Sequence, residues 1–200
     1  GNAALAFSIT NAILFITASG FINTLCLLLS PLALLIIIGY SYTKRFTWLC
    51  HIILGIGLSL APIGAYIAIT AQFHWIPLLF SGIVITWVSG FDIIYALQDT
   101  LFDHTNGYYS IPSVVGNRMA LSISAMLHGT TCILVLLVGI LAGFGVFYWI
   151  GAILFIGLLV YQHKIVTHDD ISRVNRAFGT TNGIASVIFA TLLIIDLYVR

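Results

Sequence analysis

Three aspartates lie close together in the stretch DIIYALQDTLFD, which runs from residue 92 to residue 103. Asp92, Tyr95, Asp99 and Asp103 are separated by three, four and four residues. At about 100° per residue, these spacings place all four side chains on one face of a helix. Carboxylates in such a row repel one another unless a cation or a basic side chain neutralises them. The stretch therefore predicts a cation-binding site, and a solvated helix end is the simpler alternative.

Magnesium is the cation that best suits this stretch, because Mg²⁺ is usually held by one or two carboxylates together with substrate phosphates. Ligands of the zinc type are limited to His104. The basic loop YSYTKR, with Lys44 and Arg45 at its end, could bind the same phosphates or neutralise the aspartates. A purely topogenic role for these two charges is an equally good interpretation. Aspartates and loop together predict a diphosphate site.

The composition predicts an integral membrane protein. Of the 200 residues, 60% are hydrophobic and 6% are charged, and the mean hydropathy is +1.12. A bilayer crossing needs roughly 20 apolar residues in a helix, and the continuous apolar runs lack the alternation of a β-barrel. The net charge of +1 gives no basic field for nucleic acid, so the expected surroundings are a lipid bilayer. A diphosphate ligand of so apolar a protein would carry an isoprenoid tail.

The apolar runs predict an all-α, polytopic transmembrane helical bundle in a single domain, residues 1–200. Pro31 and Pro62 fall inside apolar runs and are expected to kink or locally open their helices. About seven spans are predicted, at residues 3–19, 23–40, 48–69, 75–97, 117–141, 146–161 and 184–199.

The basic residues predict the orientation of these spans. Six of the seven lysines and arginines fall on alternate connections, which share one face of the membrane. The positive-inside rule places that face, and the aspartates with it, in the cytoplasm. These six residues are Lys44, Arg45, Arg118, Lys164, Arg173 and Arg176.

Three stretches carry a resemblance to a known family. DIIYALQDTLFDHTNGYYSIP, residues 92–112, has the form D-x-x-Y-A-x-x-D-x-x-x-D, with Asp92, Tyr95, Asp99 and Asp103 at its defining positions. This is similar to the second Asp-rich motif of the UbiA superfamily of intramembrane aromatic prenyltransferases. GYSYTKRFTWLCHIILG and DDISRVNRAFGTTNG resemble two further segments of its 4-hydroxybenzoate polyprenyltransferase branch. The resemblance covers the chain from the second span onward.

The chain departs from that family at its start. The family has about nine helices and an earlier motif, N-D-x-x-D-x-x-x-D, whereas no acidic residue precedes Asp92 here. We therefore expect a fragment that lacks the first two helices, since seven spans plus two make nine. The alternative is a complete protein that has lost catalysis.

The resemblance implies a Mg²⁺-dependent transfer of a polyprenyl group from polyprenyl diphosphate to an aromatic acid. The acid would be of the 4-hydroxybenzoate or hydroxynaphthoate type, for ubiquinone or menaquinone biosynthesis in the bacterial inner membrane. Because half of the expected metal ligands are missing, the fragment alone is expected to be inactive. An ion-binding transporter and a relative that uses another acceptor are the alternatives, and the position of the aspartates at the membrane rim favours the enzyme.

The same resemblance implies roles for individual residues. Asp99 and Asp103 would hold Mg²⁺, and Asp92 would pair with Arg45 to order a substrate loop. Tyr95 would hydrogen-bond the diphosphate or face the allylic cation with its ring. Lys44 and Arg45 would bind diphosphate or the carboxylate of the acid, and Asn175, with Asn182, would be a polar position near the substrate.

Other polar residues favour structural roles. His51 and His128 lie in the third and fifth spans and are expected to be packed, hydrogen-bonded side chains. Asp169 and Asp170 precede a helix start, where a capping role is expected.

Overall fold

Apolar chain can cross a bilayer only where its backbone groups bond internally, so each long apolar run should become a helix. The computed structural model describes residues 2–199 and places a helix on every predicted span. Its helices are α1 (Asn2–Ile22), α2 (Thr24–Thr43), α3 (Cys50–Thr70), α4 (Trp75–Ala96), α5 (Thr100–Thr105), α6 (Ile111–Leu141), α7 (Val146–Ile165) and α8 (Asn182–Val199). Within these described residues, seven helical segments are long and apolar enough to cross a membrane. The predicted fold class and number of spans are confirmed.

The fifth span begins earlier than predicted. Helix α6 starts at Ile111 because Ser110 forms a capping box with Ser113, in which each side chain accepts from the other residue's backbone N–H. Gly116, at φ 79° and ψ 160°, then breaks the helical geometry. The left-handed φ suits glycine. The predicted start at residue 117 is the end of this kink.

Helices α3, α4, α6, α7 and α8 build the core. One apolar cluster lies between α4, α6, α7 and α8 and includes Ile83, Val135, Tyr148 and Phe155. A second cluster surrounds the end of α4, with Ile93, Ile94 and Leu97. The core thus fixes the end of α4, where the aspartates lie.

Helices α3 and α4 pack closely through a small residue. A Cβ atom at Gly55 would lie 2.5 Å from Ser89 Oγ and 2.7 Å from the carbonyl oxygen of Ile85. Ser89 also donates to the backbone oxygen of His51 at 3.1 Å. This contact brings the start of α3 against the end of α4.

Helices α1 and α2 are largely exposed, with one and two buried residues respectively. Helix α2 continues through Pro31, and Ser30 Oγ donates to the carbonyl oxygen of Leu27 at 2.9 Å. That carbonyl would otherwise lose its helical donor to the proline. Helix α3 likewise continues through Pro62.

The connections alternate between two ends of the bundle. We call residues 44–49, 97–110 and 166–181 the charged end, because they hold most of the charged side chains. A backbone hydrogen bond of 2.7 Å from Tyr109 to Lys44 ties two of these connections together. Residues 71–74 and 142–145 lie at the opposite end.

Asp169 and Asp170 belong to the last connection at the charged end. Asp170 Oδ1 accepts from the Ser172 backbone N–H at 2.9 Å, and hydrogen bonding to Ser172 lowers the pKa of Asp170. Asp169 is exposed beside His168. The expectation was that both aspartates cap a helix start. Asp170 instead accepts a hydrogen bond within the turn that precedes the helical residues, which begin at Val174.

Candidate active site

The acidic stretch lies at the charged end, but it is not one regular helix. Helix α4 ends at Ala96, a 3₁₀ turn covers Leu97–Asp99, and α5 begins at Thr100. A 3₁₀ helix turns by about 120° per residue instead of about 100°, so three residues add roughly 60° of rotation. The prediction of a single helical face through all four side chains is wrong in this respect, and the side chains have different neighbours.

Asp103 is neutralised by a lysine from the basic loop. Its carboxylate oxygens lie 3.1 and 3.4 Å from Lys44 Nζ, and its side chain is 3% exposed, compared with 37% for Lys44. A buried carboxylate needs such a partner because its charge is costly away from water. The expected compensating charge is therefore present, and it comes from the loop between α2 and α3.

Asp92 pairs with a histidine and not with the predicted arginine. His51 Nδ1 lies 2.6 Å from Asp92 Oδ2, and the two side chains are 1% and 22% exposed. Arg45 is exposed, with its guanidinium carbon 5.4 Å from the centre of the Tyr42 ring. The reason is local: Arg45 lies in the turn that ends α2, whereas His51 is in the first turn of α3, which packs on α4.

Tyr95 faces the segment before α8. Its ring centre lies 4.2 Å from that of Phe178, which belongs to a π-helical turn, Arg176–Thr181. Asn175 immediately precedes this turn and is exposed, as is Asp99. The structure thus brings the predicted residues to one end of the bundle, although with separate contacts.

A row of aromatic rings continues from Tyr95 into the bundle. Consecutive ring centres are 4.2 to 5.5 Å apart. The rings come from α4, α7, α8 and the π-helical turn, and their edges and faces meet as aromatic pairs prefer. In order, they are Tyr95, Phe178, Phe91, Trp87, Phe155, Phe189 and Tyr148.

A buried amide pair lies beside this row. Asn182 Oδ1 accepts from Gln162 Nε2 at 2.6 Å and from Trp87 Nε1 at 3.3 Å. Gln162 Oε1 and Asn182 Nδ2 have no hydrogen-bond partner in the described part of the chain. The sequence pointed to Asn182 but not to Gln162, whose polar side chain in an apolar run was the available signal.

Two histidines, buried His128 and partly buried His163, form a second polar pair. His163 Nε2 lies 2.9 Å from His128 Nδ1, and His128 Nε2 lies 3.2 Å from the backbone oxygen of Trp87. Since that oxygen only accepts, His128 carries its proton on Nε2 and accepts from His163. The expectation that His51 and His128 are packed, hydrogen-bonded side chains is confirmed.

The oxygen donors at the charged end suit a metal ion whose remaining coordination positions are filled by the substrate. Within residues 2–199, no group of three or more His, Cys, Asp or Glu side chains could hold a metal ion by itself. Asp99 and Asp103 offer two carboxylates one helical turn apart, and Mg²⁺ is commonly held by one or two carboxylates with phosphate oxygens and water. Hard oxygen donors of this kind suit Mg²⁺ better than zinc.

A separate apolar cavity of about 520 Å³ lies between α1, α2 and α3. Its walls include Cys26, Ala33, Gly57 and Ala61. Within the described residues, none of the predicted site side chains lines it. The cavity therefore does not coincide with the candidate site.

Comparison with known proteins finds similarity to a prenyltransferase family and to several of its relatives. The model of the UbiA prenyltransferase family matches residues 1–192. A 4-hydroxybenzoate octaprenyltransferase of Nitrosospira multiformis is 28% identical over 179 residues, covering 90% of this chain and 61% of the relative. One of Nitrosomonas eutropha is 31% identical over 176 residues, covering 86% and 60%. The chain thus spans about three-fifths of the length of these curated relatives.

A solved structure shares the same fold. The apo structure of a UbiA homolog from Aeropyrum pernix K1 superposes with a TM-score of 0.87 at 28% sequence identity. The match covers 98% of this chain and 73% of that one.

Proposed function

Because the chain belongs to the UbiA prenyltransferase family, we propose that its full-length protein transfers a polyprenyl group from polyprenyl diphosphate to an aromatic acid. The acid is of the 4-hydroxybenzoate or hydroxynaphthoate type, and the product serves ubiquinone or menaquinone biosynthesis. The names of the relatives, 4-hydroxybenzoate octaprenyltransferase, support the benzoate acceptor.

The observation that carries this proposal is the contact between Lys44 and Asp103. It joins the basic loop to the acidic stretch, so cationic and metal-binding groups meet at one point of the charged end. A diphosphate needs both kinds of group, since its own oxygens bind basic side chains directly and carboxylates through a metal. Asp99, exposed one turn away, completes the pair of carboxylates.

In the proposed site, Lys44 and Arg45 bind diphosphate oxygens, and Asp99 and Asp103 would hold Mg²⁺. When bound, Mg²⁺ would stabilise negative charge on the departing diphosphate. Lys44 would leave Asp103 and form its ion pair with the diphosphate. Tyr95 contributes a ring whose face can stabilise an allylic cation. Asn175 would contact substrate at the edge of the same end.

The interior beyond Tyr95 protects the reaction from water. Phe178, Phe91 and Trp87 follow Tyr95 in the aromatic row and present apolar surface to it, and an allylic cation that met water there would be hydrolysed. The polyprenyl tail remains among apolar side chains while the diphosphate stays at the charged end. This separation of a charged end from an apolar interior suits a substrate with one polar and one apolar part.

We place the charged end in the cytoplasm of a bacterial inner membrane, following the positive-inside rule. We propose that the 200 residues belong to one prenyltransferase domain. We expect them to be inactive alone, because the earlier Asp-rich motif of the family would supply a second metal site and no acidic residue precedes Asp92.

An assay of prenyl transfer tests the proposal. Membranes containing the full-length protein, given Mg²⁺, a polyprenyl diphosphate and 4-hydroxybenzoate, should form prenylated acid. Asp99→Asn and Asp103→Asn should each lower turnover at least about 100-fold, because each removes a charged metal ligand. Asp169→Asn is the matched control, since Asp169 is an exposed aspartate of the same end.

Normal turnover in both Asp99→Asn and Asp103→Asn would remove the metal role. Replacing 4-hydroxybenzoate by a hydroxynaphthoate in the same assay decides between the two acceptor types. Prenylation of neither acid would point to a family relative with another acceptor.

A further inference from the structure

His51 is a buried titratable side chain that the proposed reaction has not used. Its Nδ1 lies 2.6 Å from Asp92 Oδ2, and its backbone oxygen accepts from Ser89 Oγ at 3.1 Å. Its Nε2 lies 3.4 Å from the backbone nitrogen of Ile111, at the start of α6. Contacts from two other helices, α4 and α6, therefore fix both the backbone and the ring of His51.

These contacts determine which ring nitrogen carries the proton. The Ile111 backbone N–H can only donate, so His51 Nε2 accepts and is unprotonated. The proton therefore lies on Nδ1, from which His51 donates to Asp92. This arrangement holds one carboxylate oxygen of Asp92 and leaves the other to interact with a ligand.

We propose that His51 is a positioning residue, which holds Asp92 as the base that takes the ring proton from the aromatic acceptor. The inference rests on the proposed prenyl transfer. Asp92 suits this role because it is one turn from Tyr95 and its side chain keeps 22% of its surface accessible. The fully buried His51 cannot reach a substrate and acts only through Asp92.

The chemistry balances with the groups at hand. The bond between the prenyl C1 and the diphosphate oxygen breaks, and its electron pair leaves with the diphosphate. A ring carbon beside the phenolic hydroxyl bonds to C1, and the hydrogen of that carbon passes as a proton to the Asp92 carboxylate. Aromaticity is thereby restored. His51 continues to donate to the now neutral Asp92, and that proton is later lost to water.

The test compares variants of the full-length protein in membranes with an acceptor that carries deuterium at the alkylated ring carbon. His51→Leu should lower kcat by about 100-fold, because a misplaced catalytic group costs about that factor. KM for both substrates should change little. The isotope effect on kcat should rise, because slow proton removal becomes rate-limiting. His51→Asn, whose amide nitrogen takes the place of Nδ1, should recover most of the loss.

His128→Leu is the matched control, since it removes an equally buried histidine of a neighbouring helix. It should leave the isotope effect at the wild-type value. Thermal unfolding in detergent establishes that each variant is folded, and His51→Met replaces His51→Leu if the latter is not.

Unchanged kcat and isotope effect in a folded His51→Leu or His51→Met protein would overturn the inference and leave the proposed transfer standing. A loss of kcat without a larger isotope effect and without rescue by His51→Asn would make His51 merely structural. Absence of any transfer by the wild-type protein would refute the proposed function, and the inference would fall with it.

Discussion

Each aspartate of the acidic stretch has its own electrostatic environment. Asp92 receives a hydrogen bond from His51, Asp103 pairs with Lys44, and Asp99 is exposed. This separation suits a division of roles in which Asp92 handles a proton while Asp99 and Asp103 handle a metal. Like charges in one stretch are tolerated because two of the three have separate partners.

Replacing Lys44 should show how strongly the buried Asp103 carboxylate depends on its charged partner. Lys44→Met leaves the buried Asp103 carboxylate without a charged partner, and we expect a loss of about 2 kcal/mol in folding stability. Thermal unfolding in detergent without diphosphate measures it. Lys164→Met is the control, because Lys164 is an exposed lysine in the last turn of α7. Equal destabilisation by both variants would contradict the importance of the ion pair.

Counting the spans predicted that the aspartates and Lys44 lie at the same end of the bundle. It did not predict the partner of Asp92. Arg45 and His51 are six residues apart, and the turn that ends α2 directs Arg45 outward while the first turn of α3 carries His51 inward. Such a choice depends on tertiary packing, which no periodicity encodes.

Among the elements, α7 depends on a carboxylate from α8. Asp196 is 3% exposed and accepts from the backbone N–H groups of Gly145, Phe147 and Tyr148 at 2.7, 3.1 and 3.2 Å. The first N–H groups of a helix have no partner inside it, and a negative charge there also complements the macrodipole. Asp196 thus caps α7 from a neighbouring helix.

Replacing this cap should destabilise the bundle without touching the chemistry. Asp196→Ala leaves three N–H groups without their acceptor, and we expect a cost of about 3 kcal/mol. Asp196→Asn, which keeps one carbonyl oxygen, should cost less. Thermal unfolding gives the ranking, with Asp169→Ala as control, and turnover per folded molecule should be unchanged. An Asp196→Ala protein as stable as the wild type would refute the cap.

The helices were predictable to the extent that hydrophobicity defines them. Long apolar runs must be helical in a bilayer, so all seven spans were found. The start of α6 was missed because Ser110 and Pro112 belong to a short polar stretch that a capping box makes helical. The 3₁₀ turn at Leu97–Asp99 and the π-helical turn at Arg176–Thr181 have no hydrophobic signature. The cap by Asp196 joins residues about 50 positions apart, so the sequence did not predict it either.

At the scale of the whole molecule, most of the charged side chains lie at one end of the helical bundle. Aspartates, basic loop and π-helical turn lie at the charged end, and the aromatic row leads from Tyr95 into the interior. The 520 Å³ cavity between α1, α2 and α3 extends toward the opposite end. This arrangement fits a substrate whose diphosphate stays at the surface while its tail lies among the helices.

The orientation can be tested by labelling with a thiol reagent that does not cross membranes. In a cysteine-free background, Gln72→Cys marks the opposite end and Asp169→Cys the charged end, and both positions are exposed. Intact cells should label position 72 alone, and inverted vesicles position 169 alone. The reverse result would place the charged end outside and contradict the positive-inside assignment.

The central claim is that Asp99, Asp103 and the basic loop bind a diphosphate with the help of Mg²⁺. Calorimetric titration of purified full-length protein with farnesyl thiodiphosphate, an unreactive analogue, tests it most directly. We predict binding that requires Mg²⁺ and that weakens roughly 100-fold in Asp103→Asn, the factor expected when a buried charged contact worth about 3 kcal/mol is lost. Equal affinity with and without Mg²⁺, and in Asp103→Asn as in the wild type, would contradict the account.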